Sequence, residues 1–512
     1  MTREEYKQEL LSDPMRLIQK KPFYRGVDDS RSAIPDRSMC DVNEMVSASL
    51  PKFRYKIVTQ DQFIKEFEPD SHKVLFDQNV PSITMKIDDR YVEIEYKKMA
   101  IPIQKMLVNK HVLHLCGNPM DFTLMDTDPT ETQRNNFVKF KQYWKLRNQD
   151  GMRTKMVTTQ KSLGDAGLLY YMDYKGRIKS RIISYKDGYV ICPHNDQNGD
   201  RLLDSIYYRT EDSEYIDSYD DTYMYRYKLD NNEDSNNFGN WIMLPPVKHG
   251  FSESPLVTKR GDVSWNNVQS VIEVYEVMYN IFMVIQKRHG WGILYIKGKF
   301  SDEGKKIAGA IILNDRTIDG TGSAEFKTPP SPQGYIDTMT ALRETIQEGA
   351  GATFLLPKDV KMSGDISGIA IMLTQSLDIE NALQGVIDWQ NVADKMTRLF
   401  KEGLAKELVN SGENPKAITE FENLNINAKF VVWKPRNDTE FNQMLVTLKG
   451  GGLISTETGV ELNTVSKPDE LSRVNTEKEK ALEEQLLVIQ TNNNNNNNSD
   501  GNSEGNNGRE GE

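Results

Sequence analysis

The feature that most constrains the fold is a run of 25 residues, Trp265 to His289, with neither proline nor glycine. Read as a helix it would span roughly 38 Å. Its apolar residues do not form one stripe. Val271, Ile272, Val274, Tyr275, Val277, Met278, Tyr279, Ile281, Phe282, Met283, Val284 and Ile285 cover most of the circumference. Gln269, Glu273, Glu276, Asn280 and Lys287 make one narrow polar face. A helix apolar on most sides must be buried on most sides. Either a large core or neighbouring subunits must surround it.

The rest of the chain divides by pattern. Residues before about 50 read as an arm with one short helix at its start. Ile83–Ile87 and Tyr91–Tyr96 alternate with period two around Asp88-Asp89-Arg90, which predicts a hairpin. Phe137–Arg147 reads as a helix, with Phe137, Phe140, Tyr143 and Trp144 on one face. Residues 153–230 read as strand-rich. Leu168–Asp173 and Lys179–Ser184 flank a turn at Tyr174–Arg177, and Asp187-Gly188 marks another. Tyr207–Thr210 and Tyr223–Leu229 flank an acidic insert with Glu211, Asp212, Glu214, Asp217, Asp220 and Asp221. Asn231–Asn240 reads as a polar loop.

After the long helix, residues 291–334 form a small loop-and-strand excursion, and a second helix runs Tyr335–Glu348. A third helical region begins near Ile369 and reaches about Val409, with Asp365 or Ser367 as N-cap and kinks expected at Gly385 and Gly403. A strand at Lys429–Trp433 precedes helices at Asp438–Lys449, Ser455–Leu462 and Lys467–Val488. Asn492–Asn498 is an unbroken asparagine run followed by Ser, Gly, Asp and Glu, a composition that predicts disorder.

Length and composition bound the function. At 512 residues the chain exceeds one ordinary core. Mean hydropathy is −0.62, and no apolar run approaches the roughly 18 residues of a spanning helix. The charged start, Met1-Thr2-Arg3-Glu4-Glu5, does not read as a signal peptide. Cys40, Cys116 and Cys192 are too far apart for metal spacing and fit a reducing compartment. The formal charge is −11. From Ser499 onward four acids face one arginine, a net of −3, so −8 belongs to the body. Broad phosphate-neutralising DNA binding is therefore not expected.

No nucleotide-binding, nucleophile-elbow or zinc-protease motif occurs, and no cofactor site is expected. His111, His114 and Cys116 form the one tight His/Cys group, which reads as either a buried segment or a metal site. The acidic insert reads as either a solvated loop or a cation site. A metal-dependent DNA-processing enzyme using Asp217, Asp220 and Asp221 is thus one alternative.

Three segments carry a more specific signal. The first is His249-Gly250-Phe251-Ser252-Glu253-Ser254-Pro255-Leu256-Val257, followed by Val271-Ile272-Glu273-Val274-Tyr275. The second is Ser367-Gly368-Ile369-Ala370-Ile371, followed by Leu377-Asp378. The third is Trp433-Lys434-Pro435 through Glu440, then Gly452–Thr458. In that order they resemble the portal proteins of tailed double-stranded DNA bacteriophages, with Ser252 where the family has Gly and Glu273 where it has Asp; another oligomeric phage head or tail structural protein is the alternative.

The resemblance implies an elongated α+β subunit that assembles as a ring, a dodecamer in the virion. It implies an arm (1–52), a β-rich wing (53–263), a stem helix (264–290), a small α/β clip (291–334), a second stem helix (335–348) and a channel loop (349–366). A long helix with a wing strand (367–437), a helical crown (438–489) and a disordered tail (490–512) complete it. The implied role is not enzymatic: passage of DNA into and out of the capsid at one vertex, after assembly in the host cytoplasm. The implied partners are double-stranded DNA, the terminase large subunit, the major capsid protein and scaffold, and head–tail connector proteins, with no membrane. Met278, Phe282 and Ile285 become candidate subunit contacts. Gly349, Gly351, Lys358 and Lys361 become candidate channel-loop residues, the glycines supplying freedom and the lysines meeting phosphates. The acidic body fits a channel along which DNA must slide.

Overall fold

A computed structural model describes residues 2–27, 55–77, 83–87, 90–94, 97–126, 128–289, 293–297, 305–307, 310–312, 323–327, 333–354, 372–412, 415–435, 438–463, 466 and 470–497. Chain contacts divide it into two units. The larger comprises Met1–Asp359 and Gln375–Lys434, the smaller Val360–Thr374 and Pro435–Glu512.

The larger unit opens with helices α1 (Arg3–Ser12) and α2 (Pro14–Leu17). Thr2 and Glu5 close a reciprocal capping box on α1. Strands β1 (Phe23–Val27) and β2 (Tyr55–Val58) pair, and α3 (Gln60–Phe67) and α4 (Lys73–Phe76) follow. The expected hairpin is β3 (Ile83–Ile87) with β4 (Arg90–Ile94). Then come α5 (Ile103–Cys116), β5 (Asp121–Leu124), α6 (Glu131–Leu146) and α7 (Gln149–Leu163). On α6, Phe140 and Trp144 are buried as the apolar spacing requires, and Phe137 and Tyr143 pack beside them. The strand-rich reading from residue 153 is corrected: β structure begins only at Asp165. Met156, Val157, Gln160 and Leu163 line one buried helical face instead.

Strands β6 (Asp165–Met172) and β7 (Ile178–Ile183) are the predicted hairpin. The Asp173 carboxylate accepts from the Lys175 and Arg177 amides across its turn. Those backbone bonds, with the Arg177 guanidinium, hold its carboxyl at about 2. Next are β8 (Tyr189–Asn195), β9 (Arg201–Arg209), β10 (Glu214–Tyr219), β11 (Tyr223–Leu229), β12 (Trp241–Met243) and β13 (Val247–Lys248). They form one antiparallel sheet, ordered β12-β11-β10-β9-β8 with β13 also on β11.

The acidic insert is therefore not a solvated loop. Its middle is β10, inside the sheet, because Tyr215, Ile216 and Tyr219 supply apolar partners on both faces. Asp217 is buried and paired with Arg226 at 2.6 and 2.8 Å. Asp220 is buried too, and takes Lys7 at 2.6 Å and the Tyr225 hydroxyl at 3.0 Å. Both carboxylates are committed to neighbours, which replaces the cation-site reading. Among the described residues no group of three or more His, Cys, Asp or Glu has metal-holding geometry.

Strand β14 (Leu256–Arg260) adds to β6 and completes a three-stranded sheet, β14-β6-β7. One core lies between this sheet and the six-stranded one, around Ile183, Ile191, Ile206, Tyr219 and Leu256. Helices α1 and α2 cover the other face through Leu10, Leu11 and Leu17.

The long helix α8 is Gln269–His289, four residues shorter at its start than predicted. Trp265 lies in the preceding turn, fully buried, and its indole N–H donates to Glu66 at 2.8 Å. The excursion contains β15 (Ile293–Lys297) paired with β18 (Ser323–Lys327), and β16 (Lys305–Ile307) paired with β17 (Ala310–Ile312). Helix α9 (Gln333–Ala350) packs back on α8, and α10 (Ser376–Asn410) is 35 residues long. Ser367 and Asp365, the expected caps, lie outside the described residues. The glycines singled out in α10 mark close approaches. A Cβ on Gly403 would lie 2.3 Å from Ile178 Cδ1, and one on Gly385 3.3 Å from Leu115. Helix α11 (Pro415–Glu422) and β19 (Ile426–Lys429) close the unit, β19 pairing with β5. The strand expected at Lys429–Trp433 thus sits earlier, because β5 offers its edge to Ile426–Lys429. The largest core joins α5, α6, α7 and α10, with Phe140, Trp144, Met396 and Phe400 at its centre.

The smaller unit contains α12 (Asp438–Gly450), α13 (Thr456–Leu462) and α14 (Glu470–Asn497). The Ser455 hydroxyl accepts from the Thr458 amide at 3.0 Å, capping α13 as expected. Helix α14 continues past Val488 through six asparagines of the run expected to be disordered. Extending an existing helix costs far less than nucleating one.

Candidate functional site

The first motif segment is a junction between the sheets and α10. Gly250 has φ +82°, which a residue without Cβ adopts freely. That turn lets the His249 ring accept from the Phe251 amide at 3.1 Å and hydrogen-bond the Asp220 carbonyl at 3.0 Å. Burial pushes the His249 ring pKa down. Phe251 is buried, and the Lys406 ammonium lies over its ring at 4.9 Å. Ser252 donates its amide to both Glu402 oxygens at 3.0 Å and its hydroxyl at 2.9 Å. Ser252, the departure from the family glycine, thus has a specific partner. Burial works to raise the Glu402 pKa, but the bonds from Lys406 and Ser252 outweigh it and hold it low.

Glu253 takes the Arg398 guanidinium at 2.8 and 3.2 Å. Ser254 donates to buried Asp204 at 2.7 Å, and the Pro255 carbonyl accepts from the Tyr170 amide at 3.0 Å. Lys395 reaches the Leu256 carbonyl at 2.9 Å. Sequence reading singled out none of Lys395, Arg398, Glu402 and Lys406. Their spacing of three, four and four residues on one helical face was the available signal.

The second element is α8, whose polar stripe faces inward. Glu276 is buried and accepts from the Ile101 amide at 2.8 Å, and His72 Nδ1 lies 2.7 Å away. Asn280 is fully buried, taking the Met99 amide and giving to the Met99 carbonyl, both at 2.8 Å. Gln269 meets Gln104 at 3.1 Å, and Glu273 meets Lys73 at 2.8 Å. Gln269, Glu273, Glu276 and Asn280 of the polar stripe are therefore satisfied by the same chain. Val274 is 51% exposed, and Tyr275, Met278, Phe282 and Ile285 stay partly exposed. Phe282 does touch Tyr335 of α9, with ring centroids 6.3 Å apart.

The third element is the end of α9. Gly351 has φ +61°, its amide donates to the Glu348 carbonyl, and the Ala352 amide donates to the Gln347 carbonyl. This is a Schellman closure. Gly349 packs on Val268, where a Cβ would come within 2.7 Å. His111 joins the Ser264 hydroxyl and the Ala350 carbonyl, each at 2.9 Å. Asn381 reaches the Gly351 carbonyl at 3.3 Å, and buried Asp378 accepts from the Thr353 amide at 3.2 Å. Gly349 and Gly351 thus close and pack a helix end rather than loosening a hinge. Lys358, Lys361, Ser367 and Gly368 lie outside the described residues.

His114 and Cys116 take structural places as well. The Trp433 amide donates to the His114 carbonyl at 2.7 Å, and His114 Nδ1 lies 3.1 Å from the Trp433 carbonyl. Burial raises the Cys116 thiol to about 11. Trp433 also crowds Gly117, where a Cβ would meet it at 2.9 Å. Pro435 and Glu440 belong to the smaller unit, Glu440 within the first turn of α12.

Comparison with known families decides what these elements belong to. The family model described as phage portal protein, SPP1 Gp6-like, matches residues 74–486. The chain belongs to the phage portal protein family. The match extends into both units and includes all three motif segments. No curated protein matches the sequence significantly. The mixture of helix and sheet agrees with the α+β fold of a portal protein. That family is structural rather than enzymatic. Among the described residues no helix of this portal protein is long and apolar enough to cross a membrane.

Proposed function

We propose that this portal protein forms a ring at one vertex of a phage capsid. DNA passes through the ring during packaging and again at ejection. The terminase large subunit docks on it first, and head–tail connector proteins and the tail follow. The major capsid protein and scaffold surround it during assembly in the host cytoplasm. In this reading residues 53–263 are the wing, α8 and α9 the stem, 291–334 the clip and 438–489 the crown. Residues 349–366 carry the channel loop, with Lys358 and Lys361 toward DNA.

The observation that supports a ring is the orientation of α8. Its polar residues are consumed by His72, Met99, Ile101 and Gln104. An apolar side with Val274, Met278, Phe282 and Ile285 remains incompletely covered. A surface helix ordinarily turns the other way, polar side to water. Neighbouring α8 and α9 helices in a ring would cover that side. Size-exclusion chromatography with light scattering tests this, followed by single-particle imaging. Rings with a central hole are expected at micromolar concentration. A well-folded monomer with no larger species would sink the proposal.

A further inference from the structure

Among the described residues, two helices of the larger unit leave amphipathic faces of opposite charge unpartnered, and they point away from each other. On α10, Leu377 is 38% exposed, Leu383 49% and Ile387 80%. Exposed Glu380 lies among them and has no ion-pair partner among the described residues. Asp388, at the edge of this face, pairs with Lys259 at 2.6 Å, yet its side chain is 60% exposed. On α6, Val138 is 48% exposed and Leu146 72%. Arg134, Lys141 and Lys145 are exposed around them and have no ion-pair partner among the described residues. Glu131 is the one acid along that face.

The geometry fixes the two directions. Helices α6 and α10 face each other across the largest core. Phe140 and Trp144 meet Phe400 at ring-centroid distances of 5.8 and 5.2 Å. At about 100° per residue, Glu380, Gln384 and Ile387 fall roughly opposite Phe400 on α10. By the same count Arg134, Val138 and Lys145 fall roughly opposite Phe140 on α6. One face therefore looks out of each side of the unit. Apolar side chains at both centres would be desolvated by contact, and the charges around them have opposite sign. Two different patches on opposite sides of one protomer suit a head-to-tail contact that propagates around a closed ring. An isologous pair would instead set like charges against each other.

We infer that the α10 face around Leu383 and Ile387 docks on the α6 face around Val138 of the next copy of this chain, with Glu380 meeting Lys141 or Lys145. The inference rests on the ring reading and extends it to a contact outside the α8–α9 pair. Rings are assembled from an equal mixture of nitrogen-15-labelled and unlabelled full-length chains. They are treated with a zero-length carbodiimide and analysed by mass spectrometry. The expected product is a Glu380–Lys141 or Glu380–Lys145 link joining a heavy chain to a light one. Separately, Lys141→Glu with Lys145→Glu is expected to lower the ring fraction at least tenfold at low salt, with far-UV circular dichroism unchanged. Adding Glu380→Lys to that chain is expected to restore it. Rings that survive the double reversal, or Glu380 links confined to one chain, would overturn this interface and leave the ring reading standing. A monomeric unmodified chain would overturn both.

Discussion

His72 Nδ1 lies 2.7 Å from Glu276 Oε1, with both side chains only 3% exposed. The pair ties the segment before α4 to the middle of α8, and Glu276 also takes the Ile101 amide. Glu276→Ala would leave that amide and the imidazole without their acceptor inside the core. The expected loss is about 1–3 kcal/mol for each group left unsatisfied, the usual cost of a buried polar group without its partner. Glu276→Gln keeps an acceptor oxygen and should lose clearly less. Urea denaturation of both variants checks the order; equal losses would show that the acceptor is not what matters.

His111 makes stability depend on pH. Burial pushes its pKa down from 6.5 to about 4, with Lys161 adding to the effect. The unfolded chain therefore binds this proton first as pH falls. The contribution is complete above about pH 6.5 and is lost progressively toward pH 4. His111→Gln should flatten this part of the profile, by roughly 1–3 kcal/mol across the window. Denaturation midpoints between pH 4 and 7 measure it, and an unchanged slope would reject the assignment to His111.

Gly403 should resist replacement. Alanine would gain about 1 kcal/mol of helix propensity. Its Cβ would lie 2.3 and 2.7 Å from the Ile178 Cδ1 and Cγ1 atoms, and Ile178 is fully buried. Overpacking of that kind costs about 1–3 kcal/mol. Gly403→Ala should therefore lower the melting temperature, and the same change should cost less in a chain that already carries Ile178→Ala. Two losses that simply add would mean the positions are not coupled.

Lys358→Ala with Lys361→Ala tests the proposed channel loop. The ring should stay intact, while DNA packaging or retention should change, and more so at low salt where screening is weak. Packaged length and retention that match the parent at every salt concentration would reject a direct role for these lysines. The ring proposal would survive, because it rests on α8.

Local pattern was enough for much of the fold. The apolar face of α6, the β3–β4 and β6–β7 hairpins, α9 and the Ser455 cap all follow from spacing and turn chemistry within a few residues. The three ordered motif segments were enough to suggest the family that the match over 74–486 establishes. Charge density misled at 211–221, whose middle, Glu214–Tyr219, is a strand with Asp217 buried. Arg226 and Lys7, which make that burial tolerable, lie on other elements. Spacing along α10 could not show why Gly403 is there, because it answers to Ile178, a residue on β7. The apolar circumference of α8 was visible in the sequence, but which side faces inward was not. Tertiary structure decided that, because His72, Met99, Ile101 and Gln104 bring donors and acceptors from about 170 to 200 residues away to the polar stripe. A one-dimensional pattern shows that a helix has two faces; only the position of its hydrogen-bonding partners shows which one is inside.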